Sequence, residues 1–286
     1  MKGKIIKQIS NQYVVYDGKR SYDCVAMGKL RKGKSPLVGD EVEFQALNDK
    51  YGIQKIYARK NQLQRPLIAN VDQAIIVMSA KDPDFSDALL DRLLFQIQYA
   101  KIKPVICVTK LDLIEADDPI YEAIADYRSS GYEVYLSGKD FSTELIEACL
   151  KDKVSVLTGQ SGAGKSSLIN RIDDQLDLAT QEISKALGRG KHTTRHSQLY
   201  PIAGGWLGDT PGFSSLDFSH MDVLDLAHSI MDFRIADGQC KFNDCKHLEE
   251  PECAVKRLVE AGKISSIRYQ HYKEVAYAIM QEKKKY

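Results

Sequence analysis

Residues 159–166, which read GQSGAGKS, constrain the fold of this chain more than any other feature. They match the pattern GxxxxGK[ST] and lie between an apolar strand at residues 154–158 and a helix that opens at residue 166. In such a loop the glycines let backbone N–H groups point at phosphate oxygens, and the helix N-terminus adds the positive end of its dipole. The sequence therefore predicts a nucleotide-phosphate site in an α/β domain rather than an exposed glycine-rich turn.

Two side chains of this loop have specific roles in phosphoryl transfer. Lys165 places a cation between the β- and γ-phosphates, and the Ser166 hydroxyl is a ligand for Mg²⁺. We predict Lys165 to be catalytic. The nucleotide-binding residues expected in this segment are Gly159, Gln160, Ser161, Gly162, Ala163, Gly164, Lys165, Ser166 and Ser167.

A second phosphate element, Asp209-Thr210-Pro211-Gly212, follows downstream. We expect Asp209 to hold Mg²⁺ through water and the Gly212 N–H to reach the γ-phosphate. A DxxG pattern by itself usually marks a turn, but its pairing with an upstream phosphate loop favours the nucleotide interpretation.

Residues 109–112 (TKLD) resemble the NKxD guanine-specificity element of Ras-like GTPases. There the carboxylate, here Asp112, accepts from guanine N1–H and the exocyclic amine, and the stem of the lysine, here Lys110, lies along the base. Thr109 stands where that element has Asn, which removes an amide tether and leaves an ATP-dependent enzyme as an alternative. The loop Ser137-Gly138-Lys139 is expected against guanine O6.

The elements occur in an unusual order, with base recognition first and phosphate binding second. If they meet in one sheet, the domain is a circular permutation of the Ras-like fold, which costs little because domain termini tend to lie close together. The segment after Gly212, which responds to the γ-phosphate, then leads directly into the C-terminal part of the chain.

Residues 188–196 (GRGKHTTRH) combine glycines and charges without apolar periodicity, which predicts a mobile loop. Thr194, or else Thr193, is the candidate hydroxyl for Mg²⁺ and the γ-phosphate. Alternatively, the loop contacts only RNA phosphates, for which its basic residues are suited. These are Arg189, Lys191 and Arg195.

The position after DxxG, where Ras-like enzymes have a glutamine that orients the attacking water, holds Phe213. An apolar ring cannot polarise water, so we expect slow intrinsic hydrolysis. The missing group then comes from His192 in the switch loop or from a partner.

The first 66 residues hold 14 basic and 6 acidic residues, a net charge of +8, whereas the rest of the chain carries −7. Five short segments rich in Val, Ile, Tyr and Phe lie in this basic region. They predict a five-stranded barrel of the oligonucleotide-binding (OB-fold) type, although an SH3-like barrel fits nearly as well. The segments are 4–10, 13–17, 22–27, 40–46 and 53–58.

Beyond residue 66 strands and helices alternate, which predicts a mainly parallel sheet covered by helices. The helix expected at residues 86–100 has one apolar face. Strands are expected at 74–78, 105–109, 134–137, 154–158, 197–202 and 206–209, and C-terminal helices at 223–231, 254–261 and 266–280. The predicted domains are a barrel at 1–65, an α/β domain at 66–217 and a helical module at 218–286.

Four soft ligands, Cys240, Cys245, His247 and Cys253, fall within fourteen residues of the helical module. Three thiolates and one imidazole with no open position describe a closed structural zinc site. The alternative is a set of ordinary buried or free thiols. Cys24, Cys107 and Cys149 each stand alone in an apolar strand or helix, and we interpret them as core residues.

Together these motifs resemble the RsgA family, the bacterial GTPases that depend on the small ribosomal subunit. The resemblance covers nearly the whole chain: the barrel, the permuted GTPase motifs, the GRGKHTT switch and the Cys/His set. It implies a monomeric cytoplasmic enzyme that binds ribosomal RNA through barrel and zinc module late in assembly of the 30S subunit. The subunit would stimulate hydrolysis of GTP to GDP and phosphate.

Composition agrees with a cytoplasmic location, because no apolar run is long enough to span a membrane and no apolar signal core follows the basic N-terminus. The main alternative from another class is an RNA-binding structural protein whose nucleotide only locks a conformation.

Overall fold

The computed structural model describes residues 1–31, 35–47, 50–63, 67–173, 196–208 and 216–283. The chain divides into two compact units that interleave along the sequence. The first comprises Met1–Gln73, Thr143–Leu157 and Lys165–Phe213, and the second comprises Ala74–Ser142, Thr158–Gly164 and Ser214–Tyr286. In the described ranges no helix is both long enough and apolar enough to cross a membrane.

The N-terminal strands of the first unit close into a barrel. They are β1 (Lys2–Ile9), β2 (Gln12–Tyr16), β3 (Ser21–Ala26), β4 (Glu41–Ala46) and β5 (Tyr51–Ile56), and the short helix α1 (Gly28–Arg31) lies between β3 and β4 in the chain. The pairing order is β1-β2-β3-β5-β4-β1, with β3 and β5 parallel and the other pairs antiparallel. Alternate side chains of these strands fill the interior, Ile5, Val15, Phe44 and Ile53 among them. This closed Greek-key order confirms the predicted barrel and favours the OB-fold over an SH3-like one.

The first unit also contains three strands from the middle of the chain: β9 (Val154–Gly159, whose last two residues belong to the second unit), β10 (His196–Ile202) and β11 (Gly205–Gly208). β10 and β11 form an antiparallel hairpin, β11 pairs with β9 in parallel, and β10 pairs with barrel strand β1. Helices α4 (Glu144–Leu150) and α5 (Lys165–Ile172) flank β9 along the chain.

The second unit contains β6 (Gln73–Ser79), β7 (Lys103–Thr109) and β8 (Glu133–Leu136) as neighbours in one sheet. Helix α2 (Asp87–Tyr99) connects β6 to β7, and α3 (Ile120–Ser129) connects β7 to the parallel strand β8. β6 is buried along its whole length, as expected for a strand covered on both faces. The strand–helix alternation predicted from the sequence is confirmed.

The C-terminal helical module belongs to the second unit. Its elements are α6 (Val223–Ser229), a 3₁₀ helix (Met231–Ala236), α7 (Ala254–Glu260) and α8 (Ser266–Lys283). Their apolar side chains form one buried cluster that also includes Phe95 of α2. The three helices expected from the sequence are therefore present, and they complete their core against the α/β part of the chain.

A buried cation connects α8 to this α/β part. The Arg268 guanidinium donates to Asp232 Oδ1 at 2.6 Å, Asp126 Oδ2 at 3.0 Å and Ser130 Oγ at 2.6 Å, and it lies 4.5 Å from the centre of the Tyr127 ring. The side chains of Arg268 and Asp232 are 3% and 1% exposed. Such a charge is tolerated in the interior only because its donors are satisfied.

Replacement of Arg268 by methionine is expected to loosen α8, because the buried Asp232 would lose its cationic partner and keep only the hydrogen bond from the Tyr132 hydroxyl. The free energy needed to open α8 should fall by about 3–5 kcal/mol. The matched control is Arg92→Met, which breaks the exposed Arg92–Glu274 pair between α2 and α8 (3.7 Å) and should cost at most ~1 kcal/mol. Hydrogen exchange of the α8 amides measures both, and equal exchange in the two variants would contradict the assignment.

Candidate nucleotide site and metal centre

The phosphate loop connects the end of β9 to the start of α5, where the sequence places it. Gly159, Gly162 and Gly164 have positive φ angles of 129°, 78° and 82°. A Cβ on Gly159 would lie 2.0 Å from the Val77 carbonyl oxygen, so no other residue fits there. The Gln160 N–H donates to that same carbonyl at 3.2 Å. The loop is thus fixed against the middle of β6, with its glycines in conformations that other residues avoid.

The helix that follows opens with the residues expected to contact phosphate and Mg²⁺. Lys165 is the first residue of α5 and is half-buried, whereas Ser166 and Ser167 are exposed in the same turn. Burial lowers the pKa of Lys165. A phosphate beside this amine would offset the cost of burying its charge, which agrees with a phosphate-binding role.

Thr109, at the end of β7, contacts the phosphate loop directly. Its hydroxyl donates to the Ala163 carbonyl oxygen at 2.6 Å and also lies 3.2 Å from the Met78 carbonyl oxygen. Thr109 is buried. The sequence suggested that Thr in place of Asn removes a tether; in the structure its hydroxyl supplies one, and it joins the end of the base-recognition strand to the loop.

Asp112 lies in a short 3₁₀ helix, Leu111–Leu113, directly after β7. Its Oδ1 accepts from the Lys139 N–H at 2.9 Å. A Cβ on Gly138 would lie 2.8 Å from the same oxygen and 3.0 Å from the Asp112 backbone nitrogen, so glycine favours this close approach. The Leu111 N–H donates to the Ser137 carbonyl at 3.2 Å. The two segments predicted to recognise guanine are therefore hydrogen-bonded to each other.

Lys110 holds a left-handed conformation, with φ 58°, between Thr109 and the 3₁₀ helix. Its ammonium donates to the Asp82 carbonyl oxygen in the loop after β6. The side chain thus extends from the end of β7 to a neighbouring loop of the same sheet edge. This is the carboxyl edge of the parallel strands, where α/β proteins bind ligands.

Several predicted site residues lie outside the described part of the chain. These are His192, Thr193, Thr194, Asp209, Gly212 and Phe213, together with the basic switch residues. The Mg²⁺ contacts of Thr194 and Asp209 and the role of His192 remain predictions.

Cys240, Cys245, His247 and Cys253 converge in the helical module. One ligand atom from each lies within 4.8 Å of the others, and all but Cys240 are buried. His247 directs Nδ1 at the group, 3.7 Å from Cys240 Sγ and 3.5 Å from Cys253 Sγ. The Ala254 N–H donates to Cys240 Sγ at 3.3 Å, a contact that supports a thiolate. Three sulfurs and one nitrogen at this spacing fit tetrahedral Zn²⁺.

Burial sets the protonation of these ligands. It raises the pKa of the Cys245 thiol to about 12 and lowers that of His247 to about 4. A neutral imidazole is the form that binds a metal, and a divalent cation would stabilise the thiolates that burial disfavours.

Some functional contacts have no signal in the sequence. Lys139 acts on Asp112 through its backbone N–H, and Val77 and Ala163 act through carbonyls, so their side chains give no indication of these roles. Gly138 was predicted as part of the loop against guanine O6, but its close approach to Asp112 was not predicted.

Comparisons with known proteins agree with this geometry. The family model described as RsgA GTPase matches residues 55–219, and the RsgA N-terminal domain model matches residues 2–53. The "Small ribosomal subunit biogenesis GTPase RsgA" of Bacillus subtilis strain 168 is 48% identical over 295 residues, and that of Bacillus cytotoxicus is 47% identical over 292. Each alignment covers 99% of both chains.

Solved structures show the same architecture. The crystal structure of YloQ, described as a circularly permuted GTPase, has a TM-score of 0.83 and 42% identity, and the match covers 98% of this chain and 95% of that one. YjeQ from Thermotoga maritima has a TM-score of 0.83 and 33% identity, with 98% of each chain covered. The circular permutation predicted from the order of the motifs is confirmed. The chain therefore belongs to the RsgA GTPase family and is a GTP-hydrolysing enzyme.

Proposed function

We propose that the protein hydrolyses GTP to GDP and phosphate while bound to the small (30S) ribosomal subunit, late in the assembly of that subunit. The observation that carries this proposal is the hydrogen bond from Thr109 to Ala163, which joins a base-recognition strand to a phosphate loop. The names of the relatives, which are small-ribosomal-subunit biogenesis GTPases, support the choice of partner.

The proposed nucleotide contacts follow the sequence predictions. Asp112 accepts from the guanine edge and is held in place by the Lys139 N–H. Lys110 lies along the base and the Ser137–Gly138 backbone faces O6, while the phosphate loop and Lys165 hold the phosphates. Mg²⁺ binds Ser166, with Thr194 and Asp209 completing its protein contacts.

The barrel is the proposed contact for ribosomal RNA. It lies in the segment with net charge +8, and one of its aromatic rings is flanked by cations: Lys2 and Lys55 lie 5.3 Å and 5.0 Å from the centre of the Tyr57 ring. Positive charge beside aromatic rings is the usual chemistry of single-stranded RNA surfaces. The zinc module is the second proposed RNA contact.

The proposal also includes domain boundaries at residues 65 and 217, a cytoplasmic location, a monomeric state and one structural Zn²⁺ per chain. They are supported by the basic segment, the resemblance of the motifs and the buried ligand set.

Hydrolysis should be slow in the free protein and faster with the subunit, because Phe213 cannot orient water. We expect purified small subunits to raise kcat by on the order of 10²-fold, the contribution of one acid–base group. Phosphate release measured with and without subunits tests this, with Lys165→Ala as the inactive control. Equal rates in both conditions would favour a structural RNA-binding protein instead.

Asp112→Asn is expected to weaken GDP binding by about 100-fold, since two charge-assisted hydrogen bonds to guanine are lost. The same variant should prefer xanthosine over guanosine nucleotides. Asp117→Asn, which changes an exposed carboxylate a few residues downstream, is the matched control and should bind GDP normally. Competition binding against ATP and XTP measures the preference, and unchanged guanine selection in Asp112→Asn would refute the assignment.

Removal of zinc should make residues 237–253 accessible to protease, because this loop has little regular structure and is held by its four ligands. Chelation or Cys245→Ser is expected to make the loop sensitive to protease within minutes. Cys24→Ala, at a buried cysteine of the barrel, is the control. Mass spectrometry of the cleavage sites and of bound metal reads the result, and a resistant loop in metal-free protein would count against the site.

A further inference from the structure

Barrel strand β1 divides one of its edges between two partners. Its first half, Lys2 to Lys4, pairs with Glu43 to Glu41 of β4 and closes the barrel. Its second half, Lys7 to Ile9, pairs with residues 198 to 196 of β10. A single strand therefore belongs both to the barrel and to the sheet that contains β9 and β11.

A bulge lies where β1 changes partners. The pairing of β1 with β2 shifts register between Ile5 and Lys7. Such an extra residue bends a strand and increases its twist, which turns the second half of β1 away from β4. The bend in β1 thus places its second half where it can pair with β10.

An aromatic contact adds to this connection. The rings of Tyr16, at the end of β2, and Trp206, in β11, lie 5.5 Å apart at 67°, an edge-to-face arrangement. Tyr16 pairs with Lys4 of β1, and Trp206 pairs with Pro201 of β10 and Val154 of β9. The β10–β11 hairpin is therefore attached to the barrel by its backbone and by a side chain.

The hairpin itself is closely packed. A Cβ on Gly205 would lie 2.0 Å from the Leu150 carbonyl oxygen, and a Cβ on Gly208 would lie 2.7 Å from Ile68 Cδ1. β11 pairs in parallel with β9, which continues into the phosphate loop. With so little free space around it, the hairpin is expected to shift as one body rather than to deform.

The position of the hairpin in the sequence gives this attachment a consequence for catalysis. β10 begins directly after the switch residues 188–195, and β11 ends at Gly208, directly before Asp209. The hairpin thus joins the two segments assigned to Mg²⁺ and the γ-phosphate. A restraint on the barrel therefore acts, through β1, on the hairpin that these two segments flank.

We propose that Tyr16 and Trp206 are positioning residues that transmit the stimulating effect of the small subunit from the barrel to the switch segments. This inference rests on the proposed function, since it assumes that the barrel binds the subunit. Through the same connection, the bound nucleotide would alter the environment of Trp206.

The first experiment separates transmission from binding. Tyr16→Leu should lower kcat at saturating subunit by about fivefold, the factor that one aromatic contact can supply. The subunit concentration for half-maximal rate, the hydrolysis rate without subunit and the Kd for GDP should not change. Tyr16→Phe keeps the ring and loses only a hydrogen bond to the Gly18 carbonyl, so it should behave as wild type.

Trp206→Leu removes the other ring. It tests the same contact in a second variant, in case Tyr16→Leu folds poorly. If the two rings act through each other, kcat at saturating subunit falls no further in the double variant than in either single variant. A wild-type kcat at saturating subunit in Tyr16→Leu, or a higher half-maximal concentration with unchanged kcat, would overturn the inference.

The second experiment uses Trp206 as a reporter, because it is the one tryptophan of the sequence. Its emission is expected to differ between the GDP form and the form with a non-hydrolysable GTP analogue, and the difference should shrink in Tyr16→Leu. Identical emission in both nucleotide states of the wild type would overturn the inference while leaving the GTPase assignment intact. If subunits fail to stimulate the wild-type enzyme, the proposed function fails and the inference fails with it.

Discussion

The hydrogen bond between the Thr109 hydroxyl and the Ala163 carbonyl is the contact on which the nucleotide site depends. It joins two segments that are 54 residues apart, and it is buried, so its loss would leave polar groups unsatisfied. Because Thr109 ends β7 and Asp112 follows three residues later, a fixed Thr109 also fixes the carboxylate assigned to guanine. The glycines at 138 and 159 also help to hold these segments together, since each allows a closer approach of neighbouring backbone than a Cβ would permit.

In the permuted order, the two segments assigned to the γ-phosphate are followed along the chain by the β10–β11 hairpin and by the helical module. The segment after Gly212 leads to the helical module, as the sequence indicated, and this module is held to α2 and α3 through Phe95 and Arg268. The hairpin between the switch segments pairs with barrel strand β1. The barrel is therefore joined by a backbone ladder to the hairpin that pairs with β9, and the helical module shares a buried core with α2.

The sequence predicted local features well and long-range features poorly. Strand and helix positions followed from apolar periodicity, as in α2, where Ser86 caps the helix that was expected at 86–100. The phosphate loop and the metal ligands followed from residue type and spacing. In contrast, the divided edge of β1 depends on pairing across about 190 residues and on a bulge without a sequence signature. Arg268 lies in the long helix α8, where an arginine is ordinarily exposed, and only the packing of α3 and the 3₁₀ helix reveals its three acceptors.

The packing of the helical module also changes the role that its metal can have. The sequence suggested that three short helices need zinc because they bury little core alone. In the structure their apolar side chains share a core with Phe95, and Arg268 anchors α8, so the helices have support that does not involve the ligands. The loop at 237–253 has less support: its described backbone is turns and bends, and its buried groups are mainly the ligands themselves. Its contacts with α8 include the hydroxyls of Tyr269 and Tyr272, which donate to carbonyl oxygens of the loop. Zinc bound by these four ligands would therefore order the surface that this loop presents, whereas the helices behind it depend chiefly on the α/β core.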